Sequence, residues 1–217
     1  MPENLFTLLA TIVGLLIGAL LTLLTGRYQT THQLKLKLKE KLLDRRIDAH
    51  ENILTLVNSL VLMNPLMAEV EPGKIESAIN DEGELLRYPE ILQSREVFGN
   101  FTRNWTTTIL KQTHWLSNEL VRELYLFQDY MVNLIQLLDK VEDSKVPIIG
   151  SIIRQDFIDF STNITNLAYK YFYSDLEKLN LEDNTEWHKY KHEITKKRLF
   201  DTQLFLKGTL LSKFSED

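Results

Sequence analysis

His188 and His192 stand four residues apart, the spacing that places two imidazoles on one helix face. A zincin needs His-Glu-x-x-His, and here Lys189 occupies the glutamate position with no third ligand evident, so no metal site is expected. Asp156 and Asp159 share a face near Arg154, which reads as a solvated trio of helix charges. No P-loop, dinucleotide fingerprint, nucleophile elbow or kinase signature is present, and there is no cysteine to act as nucleophile or thiolate ligand. The expectation is a protein that is not an enzyme, with no catalytic residue and no cofactor.

One cluster retains chemical interest. Lys189, Lys191, Lys196, Lys197 and Arg198, with Trp187 and Tyr190, form a basic-aromatic patch within an otherwise acidic region. Cationic donors bind anions, and aromatic faces stack on bases or nucleotides, so these seven residues are the candidate anion-binding site. The plainer reading is a solvated helix face that balances the surrounding acids.

The elements that must position this patch start at a membrane. From Leu5 to Leu24 no residue is charged, and twenty helical residues rise about 30 Å, the thickness of a bilayer's hydrocarbon core. A cleaved signal peptide has a basic leader and a shorter apolar run, whereas only Pro2, Glu3 and Asn4 precede this one. A retained anchor over residues 5–25 is therefore expected. Arg27, Lys35, Lys37, Lys39, Lys41, Arg45 and Arg46 follow the run and no Lys or Arg precedes it. The positive-inside rule then puts the N-terminus outside and the rest in the cytoplasm. In a cytoplasmic chain the sequons at Asn100, Asn104 and Asn163 are chance matches.

Within the run, Ala10, Gly14, Gly18 and Thr22 recur every four residues. Small residues in register let two spanning helices approach closely, so this stripe is the expected self-association face. Residues 26–64 read as one basic stalk helix ended by Asn64-Pro65, because no glycine or proline interrupts Arg27–Asn64 and the residue before proline leaves the α region. Residues 27–47 carry seven basic and two acidic side chains. With a total net charge of −5 and Glu3 outside the segment, residues 48–217 are left with −9. The basic collar fits anionic lipid headgroups, with a nucleic-acid contact as the less favoured partner.

Residues 65–217 read as a cytoplasmic helical domain. The part up to 115 is irregular, with turn signals at Glu71-Pro72-Gly73, Asn80–Gly83 and Tyr88-Pro89, and short helices around Lys74–Ile79 and Glu90–Val97. Ser117-Asn118-Glu119 is a helix start, followed by a stripe of Leu116, Leu120, Leu124, Phe127, Met131, Leu134, Leu138 and Val141. Pro147 and Gly150 punctuate the next loop. Phe157, Phe160, Ile164, Leu167, Tyr171, Leu176 and Leu179 mark a further helix, and Asp183 with Glu186 opens a last one from about Thr185 towards Lys213. The fold class is all-α: one N-terminal transmembrane helix continuing into a stalk helix and a cytoplasmic bundle.

The plan of a short outside N-terminus, one span, a basic helix and a soluble helical domain resembles small bacterial membrane effectors of anti-phage systems, with the Hailong-type transmembrane effector one candidate. The stretch Lys39–Leu60 directly after the span looks like those of many bacterial membrane proteins. The resemblance to those effectors implies a homo-oligomeric channel whose cytoplasmic part is controlled by a nucleotide-derived ligand. The expected location is the bacterial inner membrane, and a soluble regulatory protein is the other expected partner of the cytoplasmic part. The other reading is a passive membrane-anchored scaffold that docks a soluble partner. Membrane lipid and further copies of the chain are the expected partners.

Overall fold

The computed structural model describes residues 2–66, 86–171 and 192–215, with side chains from residue 13 onward, those of 192 and 215 excepted. The expected helix Lys74–Ile79, the turns at Glu71–Gly73 and Asn80–Gly83, Leu176, Leu179 and the Asp183–Glu186 box lie outside the described residues. Described elements are mostly helical, with one small sheet. The chain divides into two compact units, Met1–Arg45 and Arg46–Asp217.

The first unit is helical throughout its described length, forming most of α1 (Pro2–Asn58). Every side chain from Val13 to Lys41 is exposed. The hydroxyls of Thr22, Thr25 and Thr30 donate to the carbonyls of Gly18, Leu21 and Gly26 at 2.7–2.8 Å, so the helix satisfies them itself. Among the described residues no helix is long and apolar enough to cross a membrane. The side chains of residues 5–12 of the expected span lie outside them.

The second unit begins with the last turns of α1, where Ala49, Ile53, Leu56 and Val57 are buried at helical spacing, and Leu60 is buried in the turn that follows. The helix ends at Asn58, in a 3-10 turn over Ser59–Val61, rather than at Asn64-Pro65. Met63–Pro65 is instead a strand, β1, paired antiparallel with β2 (Arg87–Pro89) in the register Met63↔Pro89, Asn64↔Tyr88, Pro65↔Arg87. Bonds from Leu66 N to Leu86 O and from Glu90 N to Leu62 O extend the ladder at both ends. Each strand keeps its proline at a terminal position, where the missing N–H disrupts least. The all-α expectation therefore holds for the bulk of the unit and needs this two-stranded addition.

After a 3-10 turn over Glu90–Leu92 comes α2 (Arg95–Gln112), in a region expected to be irregular. The side chain of Ser94 accepts from Val97 N and caps it, and Phe98, Phe101, Trp105 and Ile109 form its buried stripe. α3 (Asn118–Leu138) starts where expected, capped by Ser117, whose side chain accepts from Leu120 N. All eight residues of its expected stripe are buried. Phe127 sits at the centre, within 4.8 Å of Trp105 and 4.9 Å of Phe160 between ring centroids.

Pro147 and Gly150 do not punctuate a loop. They lie in α4 (Val146–Ile152), with the proline in its first turn, where its lost N–H would have no intrahelical partner. Gly150 is there for close approach: a Cβ on it would stand 3.1 Å from Leu92 Cβ and 3.2 Å from Tyr88 Cβ. α5 (Arg154–Lys170) packs Phe157, Phe160 and Ile164 on α3. The single last helix expected up to Lys213 is broken into α6 (His192–Phe200), α7 (Gln203–Leu206) and α8 (Gly208–Ser212).

Candidate functional site

Two carboxylates buried in the second unit, Glu123 and Asp156, lie where the C-terminal helices meet α3 and α5. Asp156 lies in the first turn of α5 and is 4% exposed. Its Oδ2 accepts from the Tyr130 hydroxyl at 2.9 Å and from Leu204 N at 3.0 Å, while Oδ1 accepts from Gln203 N at 2.7 Å. The opening amides of a helix have no intrahelical acceptor. The local cap of α7, Thr202, turns its hydroxyl back to Leu199 O instead. Asp156 therefore caps α7 from another helix. Burial raises its pKa against the three donors, which lower it, and Asp159 adds to the rise. Burial, then the Asp156 charge and hydrogen bond, push the Tyr130 phenol well above its usual range.

A second clasp lies nearby. Both terminal guanidinium nitrogens of Arg198 in α6 donate to the two carboxylate oxygens of Glu123 in α3, each at 2.6 Å. The Glu123 side chain is 5% exposed. A two-pronged, charge-assisted contact of this kind both neutralises the carboxylate and fixes the orientation of α6. A cleft of about 150 Å³ is lined by Asp156, Asp159, Asp201 and Arg198, among others. Its one guanidinium is engaged by Glu123, so the lining offers mainly acceptors and water-facing carboxylates.

A third polar group is packed at the root of α1. His50 is fully buried, its ring stacked on Tyr171 at 4.1 Å and 12°. Its Nδ1 lies 2.7 Å from Arg46 O, so in the neutral ring the proton sits on Nδ1 and donates. The Arg46 guanidinium covers the Tyr171 face at 5.4 Å from the centroid. Burial depresses the His50 pKa, and the Arg46 charge lowers it further, against the raising effect of the hydrogen bond.

The residues singled out in the sequence fall differently. A Cβ on Gly14 or Gly18 would meet nothing within 4 Å, and Thr22 shares that exposed helix; the side chain of Ala10 lies outside the described residues. Arg27, Lys35, Lys37, Lys39, Lys41 and Arg45 are exposed on α1, whereas Arg46 is half-buried against Tyr171 and belongs to the root. Lys196 and Lys197 are exposed, with the Lys196 ammonium 5.8 Å from the Phe200 ring centroid. Trp187, Lys189, Tyr190 and Lys191 lie outside the described residues, as do His188 and the side chain of His192. Among the described residues no group of three His, Asp or Glu is placed to hold a metal.

Asp156 corrects the reading of a solvated trio, since Arg154 and Asp159 share its helix but Asp156 points inward. The signal was a polar residue on an apolar period. Ile153, Asp156 and Phe160 follow steps of three and four, as do Leu120, Glu123 and Phe127, and Ile47, His50 and Ile53 follow two steps of three. The sequence matches no protein-family model, and neither a curated protein nor a solved structure matches it.

Proposed function

We propose that this protein is a membrane-anchored, self-associating effector, a pore or ion channel of the bacterial inner membrane whose helical domain controls opening, in the setting of anti-phage defence. The observation that carries the reading is the exposed apolar helix. Val13, Leu15, Leu16, Ile17, Leu20, Leu21, Leu23 and Leu24 are each 51–69% exposed. Apolar surface so contiguous needs cover, and the uncharged sequence continues N-terminally to Leu5. Lipid supplies that cover, and the self-satisfied threonine hydroxyls add no unpaired donor to it.

The basic segment after this run then lies at the anionic headgroups, with the N-terminus outside and the second unit in the cytoplasm. Close packing of several α1 helices through the Gly14–Gly18 face builds the assembly. The Asp156 and Glu123–Arg198 clasps supply an element with two discrete arrangements, docked and released, whose balance a nucleotide-derived ligand or a soluble regulator shifts. Ion flux from purified protein reconstituted into liposomes tests the reading. Dye or ion release that rises with protein-to-lipid ratio is expected. Protein that alkaline carbonate strips from the vesicles, or inserted protein that never conducts, refutes the channel.

A further inference from the structure

We infer that the outer face of α6–α8 is a second membrane contact, a peripheral docking surface for anionic lipid headgroups. This rests on the anchored reading above. The three helices turn Leu204 and Leu211 inward. Outward they leave Ile194, Phe200, Leu206 and Leu210 between 44% and 63% exposed. Interleaved with these are the exposed ammonium groups of Lys196, Lys197, Lys207 and Lys213. The Lys207 ammonium makes a long 3.5 Å contact with Ile152 O. Among the described side chains of residues 193–214, Glu193 and Asp201 are the exposed acids, and Arg198 is neutralised by Glu123. Over residues 193–214 the exposed charges are therefore net positive, within a region whose net charge is −9.

Charge and apolarity together select the occupant. Large aliphatic and aromatic side chains flanked by lysines are the composition of a helix lying in the lipid interface, where apolar groups enter the acyl boundary and ammonium groups stay among phosphates. A phosphate backbone alone gives Ile194, Leu206 and Leu210 nothing to contact. A second copy meeting the same face would set lysines against lysines. The two clasps matter here, because Asp156 and Glu123 hold α6 and α7 so that this face stays outward. A domain tethered by α1 gives up little further freedom on docking, so a modest patch suffices.

The cysteine-free chain permits a clean test. The full chain carrying Leu206→Cys, labelled with an environment-sensitive dye, is reconstituted into vesicles of phosphatidylcholine alone or with about a third phosphatidylglycerol. Gln136→Cys on the exposed side of α3 is the control site. Blue-shifted emission at 206, quenched by a lipid-borne spin label, is expected only with the anionic lipid, with no change at 136. Each lysine near an anionic surface contributes about fivefold, so Lys196→Gln with Lys213→Gln lowers the docked-to-free ratio about 25-fold. High salt acts the same way, and far-UV circular dichroism checks that the variant keeps its helices. Water-like emission at 206 in both lipids, or docking that ignores lipid charge, overturns the proposal. So does a shift that follows protein density rather than lipid, which would identify a second copy as the occupant. Carbonate extraction separates the two readings. Protein that is stripped refutes the anchor, yet lipid-charge-dependent emission at 206 on added vesicles would still support the docking face.

Discussion

Asp156→Asn changes one atom in the clasp and leaves its size intact. The carboxylate serves three donors, and asparagine has a single acceptor oxygen. Placed at the Oδ2 position, that oxygen keeps Tyr130 and Leu204, and the new amide group faces Gln203 N, which now stands 2.7 Å from Oδ1. A buried donor set against a donor costs about 1–3 kcal/mol. Two charge-assisted bonds also become neutral ones, at roughly half the strength. Relief from burying a charge offsets part of this, so the net loss is about 2 kcal/mol at neutral pH. For a unit of this size that lowers the melting temperature by about 4–8 °C. The assay is thermal unfolding by circular dichroism in a chain lacking residues 1–26, which is expected to remain helical because it keeps every residue of α1 that is buried among the described side chains. The pH dependence carries a second sign. The folded pKa of Asp156 is raised above 3.8, so the native state holds its proton more tightly than the unfolded chain. Its contribution is fully present below 3.8 and is lost as pH rises through the folded value. The gap between wild type and Asp156→Asn therefore widens from pH 7 towards about pH 4. An unchanged melting temperature refutes the capping role, and a gap that narrows in acid refutes burial as the dominant influence on this carboxylate.

At the root of α1 the sign is opposite: the His50 pKa is depressed below 6.5, so its contribution is present above 6.5 and is lost as pH falls through the folded value. Urea titrations on either side of that value should show this loss in wild type and not in His50→Gln. Gly150→Ala gains about 1 kcal/mol of helix propensity but presses on Leu92 Cβ and Tyr88 Cβ, neither of which is a flexible chain end. The overpacking, about 1–3 kcal/mol, wins, and Gly150→Val is worse, as denaturation midpoints would reveal. Gly14→Ile with Gly18→Ile meets open space and leaves the helix content unchanged, while crosslinking in membranes shows a weakened oligomer. A reporter fused after Asp217 should be cytoplasmic, and periplasmic phosphatase activity from that fusion would reverse the orientation.

α3 was legible because Ser117 supplies a cap and eight apolar residues keep a strict three-and-four period. α2 carries the same kind of signal in Ser94, Phe98, Phe101, Trp105 and Ile109, obscured by Gly99 and the β-branched Thr102, Thr106, Thr107 and Thr108. The β1–β2 pair was not legible, since two three-residue strands, each with a proline, carry almost no local pattern and are joined only by long-range bonds. The polar groups of the clasp were visible as misfits on apolar stripes. Their partners were not, because Asp156 finds its amides 47 and 48 residues away. The aromatic half of the anion patch falls outside the described residues, and its Arg198 is held by Glu123.

Because α7 borrows its cap from α5, the amides of Gln203 and Leu204 act as a built-in gauge. Both hydrogens point at a buried carboxylate, and their place in the first turn of α7 leaves them no intrahelical acceptor. They exchange with solvent deuterium only when the carboxylate lets go, so their exchange rate counts how often the C-terminal segment lifts from the core. That frequency is readable in the purified protein with nothing added to it.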